Sequence, residues 1–183
     1  MRIALEPHPD AAAPNLRIGA EASRPAPGFL ELRFTVAGDV GIVRLPAAAA
    51  FRRADELWRH TCFEAFVRAP GEAGYLELNF ASSGAWAAYR FSDYRAGMIP
   101  AEKVGPPALV AAFEGDRFDL TASVDLEPAL GLLADLPWQI GLAAVIEDRD
   151  GAVSHWALRH PPGAPDFHHQ HCFAAELPPP KPA

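Results

Sequence analysis

Short stretches in which apolar and polar residues alternate, broken by turns, run along most of this chain. Residues 29–37 are the clearest: Leu30, Leu32, Phe34 and Val36 fall on one side, Glu31, Arg33 and Thr35 on the other. That period of two marks a half-buried strand. The same reading predicts strands at 2–5, 16–20, 41–45, 59–67, 75–81, 86–91, 109–113, 117–124, 138–146, 153–158 and 173–177. The connections are rich in turn formers, and residues 92–108 read as one long loop ending in Gly105-Pro106-Pro107. One short helix is expected at 127–134, closed by Pro137. The alanines at 47–50 follow Pro46 and suffice for a turn or two at most. Strand follows strand with no helices between, so the expected class is all-β: an antiparallel β-sandwich of jelly-roll type with one short helix. No linker or repeat divides residues 1–177, which are read as one domain, followed by a disordered Pro-rich tail at 178–183.

Composition narrows the function classes. The chain has 183 residues, half of them hydrophobic, enough for a real core. Its 19 prolines and 14 glycines argue against a long-helix bundle. The net charge of −7 makes nucleic acid and anionic membranes poor partners. No apolar run reaches the ~18 residues of a membrane helix. The first residues lack the apolar core of a secretory signal, so a cytoplasmic location is expected. Cys62 and Cys172 are then free thiols. No phosphate-cradling glycine loop, nucleophile elbow, Cys-x-x-Cys or His-Glu-x-x-His motif appears, so no enzyme is expected.

The informative chemistry lies in the central strands. Parity puts Phe63, Ala65 and Val67 on an apolar face, with His60, Cys62 and Glu64 opposite them. In the next strand Leu76, Leu78 and Phe80 oppose Tyr75, Glu77 and Asn79. Apolar faces must coincide across a sheet, and the likeliest pairing sets Glu64 opposite Glu77. A four-residue loop into 86–91 then sets Glu77 opposite Arg90. The expected row is Glu64–Glu77–Arg90, with Asn79, Cys62 and His60 beside it. Facing carboxylates repel, and a bidentate arginine offsets that. A solvated outer face with an ordinary ion pair is the plain alternative. The functional reading is a platform for a polar ligand, because carboxylate, guanidinium and amide hydrogen-bond vicinal sugar hydroxyls in pairs. Two carboxyls also suggest a glycosidase, but beside an arginine both would stay ionised and neither would act as an acid. Trp58 and Trp156 are candidate sugar-stacking rings. Trp138 is assigned to the core and Trp86 is left open.

Trp58-Arg59-His60-Thr61-Cys62-Phe63-Glu64, followed by Tyr75-Leu76-Glu77-Leu78-Asn79-Phe80, resembles the family 9 carbohydrate-binding modules and the wider DOMON-like superfamily. The closing segment, 141–148, then Trp156, a Pro-rich loop and a last short strand, is similar as well. More closely, the chain resembles uncharacterised bacterial DOMON-like proteins with a Leu-Trp-x-x-Thr-Cys-Phe-Glu strand and a Phe-His-His ending. The resemblance implies a non-catalytic module for a small carbohydrate or similar polar metabolite. By motif, Trp58 and Trp156 would clamp the sugar and Glu64 would bind its hydroxyls. Arg90 enters through the strand register, with His60 and His168 at the rim. No cofactor is assigned. The alternative is a haem- or metal-binding DOMON-type redox domain. Met98 could then pair with a histidine, and His168, His169 and His171 lie close in sequence, although their spacing is not that of a standard metal site. A third reading has the same face meeting a protein partner.

Overall fold

A computed structural model describes residues 1–10, 14–130 and 136–180. The chain is an antiparallel β-sandwich of jelly-roll type. Its first sheet contains β1 (Arg2–Pro7), β2 (Leu16–Ser23), β3 (Phe29–Gly38), β9 (Ala108–Glu114) and β10 (Arg117–Asp125). Its second contains β4 (Arg52–Arg53), β5 (Cys62–Arg68), β6 (Tyr75–Phe80), β7 (Ala85–Phe91), β8 (Ile99–Pro100), β11 (Trp138–Glu147), β12 (Val153–Ala157) and β13 (Ala175–Leu177). β1 joins the two, pairing with β2 through Arg2 to Leu5 and with β12 through Glu6 and Pro7. The short β4 lies parallel to β7, while the other named pairs are antiparallel.

The core lies between the sheets and follows the expected parity in β3, β5 and β6, but not in β7, where Trp86 and Ala88 face inward. Phe63 packs against two rings of the first sheet, 5.2 Å from Phe34 and 5.9 Å from Phe118. Trp138 and Trp86 are both buried there. Arg53 lies over the Trp86 ring and bonds the carbonyls of Ala101 and Val104, tying the loop after β8 to the core.

Local expectations failed where a turn dictated otherwise. The segment expected as a strand at 41–45 is a 3₁₀ turn, Val40–Ile42, and Val43 makes only an isolated bridge to Asp148. The start of the run at 59–67 is also a 3₁₀ turn, Leu57–Arg59, so β5 begins only at Cys62. The helix α1 spans Glu127–Leu130; residues 131–134 of the expected helix and 181–183 of the expected tail lie outside the described residues. No regular element forms at 47–50.

The second sheet is buried on both faces, and this positions the site. Besides the main core, Phe66, Tyr75, Tyr89, Phe91, Val145, Phe167 and Phe173 form a smaller apolar cluster on the outer side. The segment between β12 and β13 covers it. At Gly141 a Cβ would stand 2.9 Å from the Cys172 carbonyl oxygen, so this close approach requires glycine.

Candidate functional site

β5 and β6 carry the two glutamates outward, into a cavity of about 350 Å³ beneath the covering loops. Their pairing is shifted by two residues from the expectation. Glu64 faces Asn79, and Glu77 faces Phe66. A shift of two preserves the faces, so Glu64, Glu77, Asn79 and Cys62 share one side, as parity required. The glutamates are diagonal neighbours, and both are buried.

The next strand corrects the expected arginine. Ala81 N–H donates to Ala85 O, and Gly84 N–H to Ala81 O. Gly84 has φ +89°. The connection is therefore a three-residue hairpin loop closed by a left-handed glycine, not a four-residue loop. One residue fewer moves every side chain of β7 to the other face. Arg90 pairs with Leu76 and is exposed, on the opposite side of the sheet from Glu77. Tyr89 takes its place across from Glu77 and donates to Asp55 Oδ1 at 2.7 Å.

Trp156 is corrected for a related reason. It pairs with Ala144, whose side chain lies between the sheets, so parity buries the indole in the main core, where Nε1 donates to Ser154 Oγ. His155, its neighbour, faces the cavity instead. Trp58 is on the expected side. The 3₁₀ turn before β5 presents it half-buried, with its ring edge-on to Tyr89 at 5.8 Å. His60 is exposed and bonds Glu147 at 2.7 Å, away from the cavity lining. His168 lies on the cavity wall.

A hydrogen-bond chain crosses the cavity floor. Cys62 Sγ donates to Asn79 Oδ1, and Asn79 Nδ2 donates to Glu77 Oε1 at 2.7 Å. From the other side, Arg95 N–H donates to the Tyr75 hydroxyl, which lies 2.8 Å from His168 Nδ1. Burial, and after it the Arg95 charge, hold His168 down at about 4, so its ring is neutral near pH 7. With the Tyr75 hydroxyl donating to Nδ1, the proton resides on Nε2, 3.7 Å from Glu77 Oε2. Tyr75 engages Nδ1, Nε2 is beyond hydrogen-bond range of Glu77, and Met98 lines the same cavity. Among the described residues, no three His, Cys, Asp or Glu groups converge in a way that could hold a metal.

Glu64 stands outside this chain. It is 3% exposed, and its Oε1 is buried without a hydrogen-bond partner. Burial, and after it the charge of Glu77, push its pKa well above the ordinary carboxylate range. Burial raises Glu77 as well, but the Asn79 bond and the Arg95 charge partly offset this. The two acids differ accordingly: Glu64 holds its proton more readily. The expectation that both remain ionised beside Arg90 does not hold.

Arg95 is the cation that the sequence reading missed. Its guanidinium bonds Asp166 at 2.9 Å, and Asp166 also accepts from Tyr94 and from His168 N–H. One carboxylate thereby joins the loop after β7 to the segment after β12, over the cavity. Arg95 (φ 51°) and Glu56 (φ 60°) are the non-glycine residues with left-handed backbone among those described. Arg95 lines the cavity, and Glu56 precedes the turn that presents Trp58. Strain of this kind persists where surrounding structure enforces it, often at ligand sites. For the covered outer face of the sheet, though not for Arg95, a usable signal did exist in the sequence. Residues 138–147 read as a nearly continuous apolar run, the mark of a strand covered on both faces.

Among the described residues, no helix is long and apolar enough to cross a membrane. No protein-family profile matches the chain, and no curated protein matches it. Solved structures do. A proposed carbohydrate-binding protein from Bacteroides uniformis ATCC 8492 superposes with a TM-score of 0.67 at 13% identity, over 97% of this chain and 85% of its own. A family 9 carbohydrate-binding module from Caldicellulosiruptor kristjanssonii in complex with glucose gives a TM-score of 0.54 at 10% identity, over 98% and 86%. A module of that family and organism in complex with cellotriose gives 0.55 at 9%, over 94% and 79%. At these identities the likeness establishes the fold: this chain has the β-sandwich fold of carbohydrate-binding modules.

Proposed function

We propose that the chain is a non-catalytic binding module for a small carbohydrate, held in the cavity over Glu64 and Glu77 and against Trp58. The observation that carries this reading is the Glu64 carboxyl, buried in the wall of a cavity of monosaccharide size and with one oxygen, Oε1, that has no hydrogen-bond partner. A buried polar atom without a partner costs about 1–3 kcal/mol, and a ligand hydroxyl would recover it. The sugar's C–H face would lie on Trp58. Glu77, aligned by Asn79 and His168, would accept from a second hydroxyl. The neighbours in complex with glucose and cellotriose support the ligand class through their shared fold.

Titration calorimetry with glucose and cellobiose tests the reading. Saturable binding that Trp58→Ala removes supports it; no heat from either sugar, or from an amino sugar, at millimolar concentration rejects it. One protonated and one ionised carboxyl are also the pair that glycoside hydrolysis uses. Release of nitrophenol from chromogenic glycosides, abolished by Glu64→Gln, would replace the binding reading with a catalytic one.

A further inference from the structure

The charge of the cavity is one-sided. Glu64 and Glu77 both line it, and among the described residues neither forms an ion pair with Lys or Arg. The nearest cation on the wall, Arg95, is bound to Asp166, and its side chain is half exposed. His168 is neutral, and burial together with His8 and His160 also lowers His155. Aromatic surface rises around the acids, from Trp58, Phe91 and Phe167. A ligand hydroxyl would give the Glu64 carboxyl a partner but would leave Glu64 protonated and Glu77 without a counter-charge. A cation supplies both partner and counter-charge. An ammonium group has three N–H donors, forms charge-assisted bonds to carboxylates, and is attracted to aromatic faces.

We infer that the cavity is built for a ring compound bearing an ammonium group, which on the carbohydrate reading above is an amino sugar, with its N–H groups donated to the carboxyls of Glu64 and Glu77. The ring lies against Trp58. As the ammonium arrives, the proton on Glu64 leaves to solvent, and the site ends with its acids ionised and paired. The sugar identity rests on the proposed function; the ammonium subsite rests on Glu64.

The test compares D-glucosamine, D-glucose, N-acetyl-D-glucosamine and cyclohexylamine by calorimetry with the whole chain, at a pH that keeps the amines protonated. Glucosamine is expected to bind at least about tenfold more tightly than glucose or N-acetylglucosamine, or about 1.4 kcal/mol. Glu64→Gln should bring glucosamine and glucose within about twofold of each other. If that variant fails to fold, the wild-type ranking decides. Glucose binding as tightly as glucosamine overturns this inference and leaves the carbohydrate reading in place. Cyclohexylamine binding as tightly as glucosamine, with glucose silent, overturns the carbohydrate reading and leaves the ammonium subsite. Binding of none of the four overturns both.

Discussion

Asn79 lies directly across from Glu64, yet it gives its side-chain N–H to Glu77, two residues away on its own strand, at 2.7 Å. That choice sets the chemistry of the cavity. The amide aligns and partly stabilises one carboxylate and leaves the other without a donor. Glu64 is therefore costly to fold around, and the cost has a measurable pH signature.

Glu64→Gln should stabilise the protein, and only above the ordinary carboxylate range. The folded pKa of Glu64 lies above its unfolded value. Its contribution is thus fully present below the unfolded value and is lost as pH rises through the folded one. The isosteric amide has no charge to bury. Unfolding midpoints of variant and wild type should agree near pH 4 and diverge in the variant's favour by about pH 8. A difference that stays constant with pH would mean that Glu64 is not the titrating group.

His168 produces the opposite slope in a different window. Its folded value of about 4 lies below the ordinary value of about 6.5. Between the two, the unfolded chain binds a proton that the folded chain does not, so stability falls as pH drops through that interval. His168→Gln should flatten the stability profile between about pH 6.5 and about pH 4. A nuclear magnetic resonance titration that finds the imidazole half-protonated near pH 6.5 would contradict the assignment.

Much of this was legible from the residues, and the failures share one cause. Parity assigned the faces of β5 and β6, because Phe63, Ala65, Leu76 and Leu78 have to meet the same core. Parity within β7 was equally clear, but which of its faces turned inward depended on the loop. Trp86, Ala88 and Arg90 look less apolar than Ala87, Tyr89 and Phe91, so alternation alone favoured the wrong side. Gly84 decides it through its left-handed φ. Arg95 could not be read at all, since a loop has no period and its place is fixed by long-range bonds, to Asp166, 71 residues on, and to the Tyr75 hydroxyl.

Gly84→Ala tests that explanation. The backbone there is left-handed, but the nearest neighbour of an added Cβ is 3.7 Å away, so the cost is conformational and not steric. It should amount to about 1–2 kcal/mol. The analogous change at Gly41, whose φ is not positive and whose surroundings are open, should cost much less. Chemical denaturation of the two variants ranks them; equal losses would remove the turn as the determinant of register.

The two tryptophans provide the sharpest separation between packing and binding. Trp156 is 3% exposed between the sheets and bonds Ser154. Trp156→Ala should therefore cost about 3–5 kcal/mol, as large-to-small changes in a core do. Trp58 touches Tyr89 edge-on and leaves its other surface to the cavity. Trp58→Ala should leave the unfolding midpoint within a few degrees of wild type, at a cost of about 1 kcal/mol. It should nevertheless weaken ligand binding at least about tenfold, because a rigid aromatic anchor is what a small ring compound packs on. The informative measurement is both quantities on both variants, denaturation and calorimetry together. A folded Trp156→Ala protein that no longer binds, beside a Trp58→Ala protein that binds normally, would move the site to the other face of the sheet. The Glu64 cavity would then be a cost of folding without a ligand to offset it.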